Sequence, residues 1–390
     1  MIPVAQALEA LFALTRVMDT EEVPLRHAAG RVLAQEVTAQ RTQPPFAASS
    51  MDGYALRRAE VEPDAMFKVI GEAAAGHRFD GIVKAGQAAR IFTGAPVPEG
   101  ADFVVIQEDV TRRGSLITLG HNIGDKDNIR PAGGDFMQGT PMAAPRRLHP
   151  ADIALLASMN IARVPVYRKP VVAILATGDE LVQPGEIPRE DQIIASNSYG
   201  LAAMLDGLGA ETRLLPIAAD TAPALMRSFE LAQGADLIVT IGGASVGDHD
   251  LVAPVAAEMG MEQSFYKVAM RPGKPLMAGR LGTSAMIGLP GNPVSAMVCG
   301  TVFVAPMIRA MLGLGHNAAP RKTVPLAQDV PANGPREHYQ RATITDGAIT
   351  PEARQDSSLL SVLAGANALL VRPPHDPAKP AGALVEAINL

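Results

Sequence analysis

The stretch that decides the fold is DLIVTIGGASVGDHD, residues 236–250. Residues 237–241 form a continuous run of apolar and β-branched side chains, which predicts a strand buried on both faces, as in a parallel sheet. Ligands of α/β proteins bind beyond the carboxyl ends of such strands. The loop after the run supplies the candidate ligand groups Gly242, Gly243, Ser245, Gly247, Asp248 and Asp250.

The glycines and aspartates of this loop indicate an anion site with a hard metal ion. Glycine lets backbone N–H groups approach an anion closely. Aspartate oxygens are ligands that Mg²⁺ and similar ions prefer. His249 stands between the two aspartates, and a single histidine in an acidic loop is more often solvated than bound to a transition metal.

Strands and helices alternate around this stretch from about residue 170, a pattern typical of βαβ units around a parallel sheet. We therefore expect a central α/β domain with a mostly parallel sheet. The apolar patterning predicts strands at 171–177, 211–218 and 237–241, and helices at 199–208, 222–232 and 294–312.

The flanking regions do not show the alternation of strands and helices. Val4, Leu8 and Leu11 recur at helical spacing, which predicts an amphipathic helix at residues 2–18. Short strands separated by glycine and proline follow, and they return after residue 316, which predicts a β-rich insert and a small, barrel-like C-terminal β domain. The expected architecture is a multidomain α/β protein with regions 1–168 (1–40 and 122–168 around a β insert, 41–121), 169–315 and 316–390.

Bulk composition excludes several classes of protein. The 390 residues are too many for one ordinary core, and a net charge of −6 gives no basic surface for nucleic acid. The single cysteine, Cys299, excludes an internal disulfide framework and fits a reducing compartment. Neither a basic signal peptide nor an uninterrupted run of 18 apolar residues occurs, so we expect a cytoplasmic protein that does not bind or span a membrane.

Carboxylates follow the first two predicted strands as well as the third. Asp179 and Glu180 come after 171–177, and Asp220 comes after 211–218. Because the carboxyl ends of parallel strands share one edge, these side chains are expected on one rim, which favours a Mg²⁺ or phosphate–metal site. Taken singly, Asp220 fits a helix N-cap equally well, and the other two fit a solvated turn.

A second anion site is indicated by LPGNPVS, residues 289–295. A strand ends there in a glycine turn, Asn292 is placed to cap a helix, and Pro293 takes the first helical position. The free N–H groups at such a helix start bind anions. A well-capped helix without a ligand remains the alternative.

The loop MRPGKP, residues 270–275, carries two cations between prolines, and Lys267 precedes it. Rigid Arg271 and Lys274 suit phosphate or another oxyanion, whereas a solvated basic loop is the alternative. The chain contains neither a G-x-x-x-x-G-K-[ST] loop nor a strand followed by G-x-G-x-x-G, which argues against P-loop NTPases and dinucleotide-dependent dehydrogenases.

Several motifs, considered together, resemble one family, the molybdopterin molybdenumtransferases (MoeA), whose domain also occurs in gephyrin. The resemblance runs from about residue 5 to residue 385 with the motifs in the family's order. The motifs are SSMDGYAL (49–56), RIFTGAPVPEGAD (90–102), LATGDELV (175–182), SNSYGLAAML (196–205), IGGASVGDHD (241–250), KVAMRPGKP (267–275), LPGNPVSA (289–296) and DSSLLSVLAGANALL (356–370).

The resemblance implies a homodimer with four structural parts per subunit and an active site shared between subunits. It implies that adenylylated molybdopterin and molybdate are the substrates, that AMP is released, and that Mg²⁺ or another divalent ion assists. Molybdopterin adenylyltransferase and molybdoenzyme maturation factors are the partners it suggests. A non-catalytic molybdopterin-binding scaffold and a molybdopterin adenylyltransferase remain the alternative functions.

The resemblance also implies the functional residues. Catalytic roles fall on Asp52, Thr93, Glu180, Asp220, Asp250, Lys267 and Arg271. Substrate or cofactor binding falls on Gly242, Gly243, Ser245, Gly247, Lys274, Pro290, Gly291, Asn292, Pro293, Ser295, Arg336 and Ser357. The implied metal ligands are Glu180, Asp220, Asp248 and Asp250, and either of the last two is the functional acid of the loop. By composition alone, the segments around Asp52 and Thr93 are ordinary β turns.

Overall fold

The structure, a computed structural model, describes residues 1–243 and 251–390. The predicted loop ligands Ser245, Gly247, Asp248 and Asp250 lie outside the described residues, as does His249. Contacts divide the chain into two units. The first comprises Met1–Glu21, Gly30–Ala34 and Val166–Leu390, and the second comprises Glu22–Ala29 and Gln35–Pro165.

Helices of the described residues lie mostly in the first unit. They are α1 (Val4–Leu14), α2 (Pro150–Ser158), α3 (Asn197–Leu208), α4 (Ala222–Leu231), α5 (Val252–Glu258), α6 (Pro293–Cys299), α7 (Ala305–Met311) and α8 (Leu360–Gly365). Short 3₁₀ turns occur at Leu25–His27, Arg58–Glu60 and Gln107–Asp109.

Strands are numbered along the chain. The N-terminal strands are β1 (Thr20–Pro24), β2 (Val32–Leu33), β3 (Val37–Thr38), β4 (Ala48–Ser49), β5 (Gly53–Leu56), β6 (Met66–Ala73), β7 (Gln87–Ile91), β8 (Phe103–Ile106), β9 (Val110–Arg113), β10 (Leu116–Leu119), β11 (Ile129–Arg130), β12 (Pro141–Met142), β13 (Arg146–Arg147) and β14 (Arg163–Tyr167). The central strands are β15 (Val171–Ala176), β16 (Leu181–Val182), β17 (Ile193–Ile194), β18 (Glu211–Leu214), β19 (Leu237–Ile241), β20 (Glu262–Tyr266), β21 (Met270–Arg271), β22 (Met277–Leu281) and β23 (Ser284–Leu289). The C-terminal strands are β24 (Lys322–Pro325), β25 (Glu337–Thr345), β26 (Ala348–Pro351), β27 (Ala368–Arg372) and β28 (Leu384–Asn389).

The central sheet has the strand order β18-β15-β19-β23-β22-β20. Its first four strands are parallel and β22 pairs antiparallel with both β23 and β20, so β22 alone runs the other way and the predicted mostly parallel α/β sheet is confirmed. Helices cover both faces because successive strand side chains point to opposite sides. Leu237, Val239 and Ile241 of β19 join the core with α1, α3, α6 and α7, whereas Ile238 packs with α4 and α5.

Asp236 fixes the amino end of β19. Its two carboxylate oxygens accept hydrogen bonds from Arg168 Nη1 and Nη2, at 2.8 and 2.9 Å, and Oδ2 also accepts one from the Val171 N–H at 2.8 Å. Burial by itself would raise the pKa of Asp236, but these donors outweigh it and hold the pKa below the ordinary value. The amino end of the strand is therefore anchored to Arg168 and to the start of β15.

One long helix, Pro293–Met311, runs through the first unit. It consists of α6, a π-helical turn at Gly300–Val304 and α7. Pro306 has no amide hydrogen and its ring crowds the preceding turn, which accounts for the widened turn just before it. The helix is long and apolar enough to cross a membrane, with a mean hydropathy of 1.6, but 83% of that stretch is buried inside the protein, as in a core helix.

Cys299, at the end of α6, is completely buried in this core. Burial raises the pKa of its thiol. A Cβ atom placed on Gly273, in the loop 270–275, would lie 2.4 Å from the cysteine sulfur, so this glycine packs directly on Sγ.

The C-terminal sheet has the order β21-β25-β27-β28-β24, with β26 paired to β25. Its first strand, Met270–Arg271, belongs to the predicted basic loop and pairs in parallel with Glu337 and His338. The C-terminal β structure therefore includes residues from the segment 169–315, which the sequence assigns to the central domain.

Contacts place α1 differently from the sequence-based division, which groups residues 1–40 with 122–168. Val4, Leu8 and Leu11 are buried in the core of the first unit together with strands β15, β19 and β23. The helix is also shorter than the predicted 2–18, since Pro3 precedes it and the extended Thr15 follows it.

The second unit contains a six-stranded sheet of order β8-β5-β7-β6-β10-β9. Neighbouring strands β5 and β7 are antiparallel, with Gly53 opposite Ile91. Because an antiparallel pair brings the start of one strand beside the end of the other, the segment before β5 meets the segment after β7.

Candidate functional site

A pocket of about 660 Å³ opens at the carboxyl edge of the central sheet, beyond β15, β19 and β23. Eight of the residues predicted from sequence line it, and all of them belong to the first unit. They are Glu180, Asp220, Gly242, Gly243, Pro290, Gly291, Asn292 and Pro293.

Acidic groups occupy one side of this pocket. Glu180 is exposed, and Asp220 is half-buried and donates its backbone N–H to Asp179 Oδ1 at 3.1 Å. Gly178 has a φ of 146°, and a Cβ at this position would lie 2.4 Å from Glu180 Oε2. The glycine thus leaves room for the glutamate to fold back over the end of β15.

Backbone forms a second side of the pocket, at the end of β19. Gly242 has a φ of 91°, and a Cβ on it would lie 2.7 Å from the Thr177 carbonyl oxygen. Thr177 is 4% exposed, and its hydroxyl has no hydrogen-bond partner within 1–243 and 251–390. A glycine backbone and an unpartnered hydroxyl therefore meet at the predicted ligand edge.

The LPGNP turn forms the third side. Asn292 takes the N-cap position of α6, but its side chain makes no capping bond. Instead, Asn292 Nδ2 donates to Ser357 Oγ at 3.1 Å. Asn292 therefore holds the predicted N-cap position, but its Oδ1 does not accept the expected capping bond. Asn197 supports the same turn by donating Nδ2 to the Gly291 carbonyl at 2.7 Å.

Ser357 and Ser295 lie next to this turn without lining the pocket. The Ser357 carbonyl accepts the Val294 N–H at 3.1 Å, while Ser358 reaches the pocket wall. Ser295 is buried in the first turn of α6.

Apolar residues that the sequence does not single out form a further wall. Strands β16 and β17 pair in parallel and bring Leu181, Ile193 and Ile194 to the pocket. Ile193 is 59% exposed although it is large and apolar. The sequence signal for this wall is the apolar doublet Ile193-Ile194, which follows a polar stretch. A doublet is too short to show a helix or strand period, so the segment resembles a loop.

Four predicted cations do not line the pocket within the described parts of the chain. Arg271 and Lys274 are exposed, and Lys267 Nζ lies 4.9 Å from the centroid of the Tyr266 ring. Arg336 Nη1 donates to the Met270 carbonyl at 3.4 Å, so it is tied to the same basic loop.

Asp52 and Thr93 meet in the second unit, where β5 begins and β7 ends. The Thr93 N–H and hydroxyl both donate to Asp52 Oδ1 at 2.8 Å. These bonds, the backbone one first, hold the pKa of Asp52 below its ordinary value. The two residues that composition alone assigns to ordinary turns thus form one hydrogen-bonded pair with a carboxylate that stays ionised.

The donor groups of the pocket fit a magnesium ion. Mg²⁺ is usually held by one or two carboxylates together with water and substrate phosphates. Glu180 and Asp220 supply two carboxylates on one pocket, and Thr177 supplies an unpartnered oxygen. No group of three or more His, Cys, Asp and Glu side chains suited to a metal occurs in the portion of the chain that the structure describes.

Three family models match the chain in succession. The MoeA N-terminal region (domain I and II) matches residues 2–160, the probable molybdopterin binding domain matches residues 173–310, and the MoeA C-terminal region (domain IV) matches residues 323–390. Together they account for most of the 390 residues.

Relatives and solved structures agree with these matches. A molybdopterin molybdenumtransferase of Nostoc sp. is 37% identical over 332 residues, which cover 82% of this chain and 76% of the relative. One of Bacillus subtilis is 33% identical over 393 residues, covering 95% and 90%. A crystal structure of a molybdopterin biosynthesis MoeA protein from Pyrococcus horikoshii has a TM-score of 0.85 at 27% identity and covers 100% of both chains. The fold, the site at the sheet edge and these matches show that the chain belongs to the MoeA family of molybdopterin molybdenumtransferases.

Proposed function

We propose that this protein inserts molybdate into adenylylated molybdopterin and releases AMP, with Mg²⁺ as the assisting ion. The observation that carries the proposal is the pocket at the carboxyl edge of the central sheet, which is lined by Glu180 and Asp220 together with the glycines Gly242 and Gly291. Relatives at 33% and 37% identity bear the name of this activity.

The chemistry needs a site that tolerates several negative charges. Cleavage of a phosphoanhydride and placement of molybdate on a dithiolate bring phosphates, oxyanion and sulfurs together. A divalent ion supplies the positive charge that offsets them when it is bound. Preorganised N–H groups offset further charge in a site that excludes water.

Each part of the pocket has a proposed role. Glu180 and Asp220 would hold Mg²⁺, together with Asp248 or Asp250 of the loop outside the described residues. The backbone of Gly242, Gly243 and Gly291 would receive phosphate, as would the side chain of Asn292. The cations Lys267, Arg271, Lys274 and Arg336 would receive molybdate, and their position outside the pocket lining requires the substrate to extend towards the basic loop.

The protein is further proposed to be a cytoplasmic homodimer with a shared active site, to which Asp52 and Thr93 belong. Mixed dimers test the sharing. If the sites are shared, Asp52→Ala and Glu180→Gln, each inactive alone, regain activity when the two variants are mixed, because half of the sites in a heterodimer are then intact. Mixtures that stay inactive would contradict sharing.

Following AMP tests the reaction directly. The protein is incubated with adenylylated molybdopterin and Mg²⁺, with molybdate, with tungstate or without an oxyanion. We expect AMP release that depends on the oxyanion. Tight binding of the substrate without any release indicates a scaffold. In a parallel incubation with molybdopterin and ATP, transfer of AMP to molybdopterin indicates an adenylyltransferase, and either outcome overturns the proposal.

Carboxylate variants test the assigned roles. Glu180→Gln and Asp220→Asn are expected to lower kcat by about a hundredfold or more, since several kcal/mol of charge stabilisation is lost with the metal. Glu211→Gln changes an exposed glutamate of the same unit outside the pocket and serves as the control. Turnover by Glu180→Gln at the wild-type rate, with or without added Mg²⁺, would remove the metal role from this residue.

A further inference from the structure

The turn at residues 354–358 is hydrogen-bonded to the buried side chain of Arg341, a residue of β25. Arg341 is 0% exposed, and its Nη2 donates to the carbonyl oxygens of Arg354 and Asp356 at 3.2 and 2.9 Å. The side chain of Gln355 adds two bonds to the backbone of Arg341, at 3.0 and 2.9 Å. The backbone of the turn is therefore fixed to the C-terminal sheet.

The side chain of Asp356, which is exposed, forms hydrogen bonds within the turn. Asp356 Oδ1 accepts hydrogen bonds from the N–H and the hydroxyl of Ser358, at 2.8 and 2.7 Å. These two donors hold the pKa of Asp356 below its ordinary value, so the carboxylate stays charged and the bonds stay strong at neutral pH.

The same turn is joined to the pocket. The Ser357 carbonyl accepts the Val294 N–H, and Ser357 Oγ accepts a hydrogen bond from Asn292. Ser358 and Asn292 both line the pocket. The position of the LPGNP turn is thus coupled, through Ser357, to Arg341 and Asp356.

Stability does not explain why Arg341 is buried. Its Nε and Nη1 have no hydrogen-bond partner within the described residues. A buried charged group with unmade hydrogen bonds costs stability, and the two bonds from Nη2 offset only part of that cost. The benefit of Arg341 must therefore be sought in what it holds.

We propose that Arg341 and Asp356 are positioning residues, which hold Ser357 and Ser358 against Asn292 so that the pocket can bind the phosphate-bearing end of its substrate. The inference rests on the proposed function. Neither residue touches the substrate, so their loss should weaken binding and leave the chemical step intact.

Asp356→Ala tests this at an exposed side chain. We expect the KM for adenylylated molybdopterin to rise by roughly tenfold or more with kcat nearly unchanged, the factor given by the loss of one charge-assisted hydrogen bond. Asp356→Asn keeps an acceptor oxygen and should restore most of the affinity. Asp206→Ala is the matched control, since Asp206 Oδ1 also accepts an N–H and a hydroxyl, both from Thr212, but lies outside the pocket.

Arg341→Met separates positioning from stability. We expect a raised KM with kcat nearly unchanged in the folded variant, a split that a merely structural role does not give, while the melting temperature falls because two carbonyl acceptors lose their donor. A wild-type KM in a folded Arg341→Met protein would overturn the role of Arg341. If this variant does not fold, the KM values of Asp356→Ala and Asp356→Asn decide the proposal.

Amide hydrogen exchange of the protein without substrate provides a test that does not depend on the reaction. In Asp356→Ala the N–H groups of Val294 and Ser358 should exchange faster, whereas Asp206→Ala should leave them unchanged. Unchanged exchange and unchanged KM in Asp356→Ala would overturn the inference. If the wild type releases no AMP, the proposed function fails, and the exchange rates still decide whether Asp356 holds the turn.

Discussion

At the residue scale, the pair of Asp52 and Thr93 shows how hydrogen bonds keep a carboxylate ionised. Two donors from one threonine converge on the same oxygen, Asp52 Oδ1. The backbone N–H contributes more to the lowered pKa than the hydroxyl does. A group whose pKa is lowered on folding stabilises the protein above its ordinary pKa of 3.8, and this stabilisation is lost as the pH falls through the lower value.

Thr93→Val tests this division between the two donors. The variant keeps the backbone N–H and removes only the hydroxyl, so the pKa of Asp52 should rise part of the way to its ordinary value. Carbon-detected NMR titration of the Asp52 carboxyl measures the change. Thr93→Ser retains the hydroxyl and should titrate like the wild type, and a Thr93→Val protein with an unchanged pKa would show that the hydroxyl contributes nothing.

Sequence patterns could not predict this pair. Asp52 and Thr93 are far apart in the chain and meet because β5 and β7 are antiparallel neighbours with Gly53 opposite Ile91. Glu180 and Asp220, in contrast, were predictable from physics, since each follows a strand whose apolar run is readable and parallel strands end at one edge.

At the element scale, the junction between β19 and its glycines controls how closely two backbones approach. Gly242 has a positive φ of 91°, and a Cβ there would meet the Thr177 carbonyl at 2.7 Å. Neither atom belongs to a flexible side chain, so the backbone itself would have to move.

Gly242→Ala should therefore destabilise the protein more than left-handed strain alone does. Gly234→Ala is the control, because Gly234 has a φ of 78° with nothing within 4 Å of the added Cβ. We expect about 1–2 kcal/mol for the control and about 1–3 kcal/mol more for Gly242→Ala, measured by urea unfolding. Equal losses in the two variants would show that the close approach to Thr177 is unimportant.

Strand boundaries show where element prediction works. Strand β19 is observed at Leu237–Ile241, as predicted, because a charged Asp236 and a glycine pair bound the apolar run. Strand β18 ends at Leu214 instead of residue 218, since Pro216 cannot donate to a ladder. The pairing of β16 with β17 joins segments of only two residues each, too short for any period to be read.

At the scale of the whole molecule, His338 links stability to pH. Burial, and then the charges of Arg271, Arg341, Arg336 and Arg372, lower its pKa to about 4. Between pH 6.5 and pH 4 the unfolded chain binds a proton that the folded protein does not, so stability falls as the pH is lowered through this window.

His338→Gln should reduce this loss. Between pH 6.5 and pH 4 the wild type is expected to lose up to about 3 kcal/mol more than the variant, given 1.36 kcal/mol per unit of pKa change. Denaturant unfolding at several pH values gives the comparison, and above pH 7 the two curves should run parallel. Parallel curves through the whole range would rule out His338 as the responsible group.

The division of the chain also belongs to this scale. The order of β insert, α/β domain and C-terminal β region was predictable because each has its own pattern of apolar runs, glycines and prolines. The placement of α1 was not, because an amphipathic helix shows that one face is buried but not which core receives it.

The buried thiol of Cys299 can be used to measure how often the surrounding structure opens. Its sulfur is covered by Gly273 of the basic loop, and the chain has no other cysteine. A thiol reagent can modify the native protein only when the packing around Cys299, which includes Gly273, opens, so the rate of labelling reports such openings. Molybdate that binds to the cations beside Gly273 should slow the labelling, and the dependence of that rate on molybdate concentration would give the affinity of the oxyanion without any turnover.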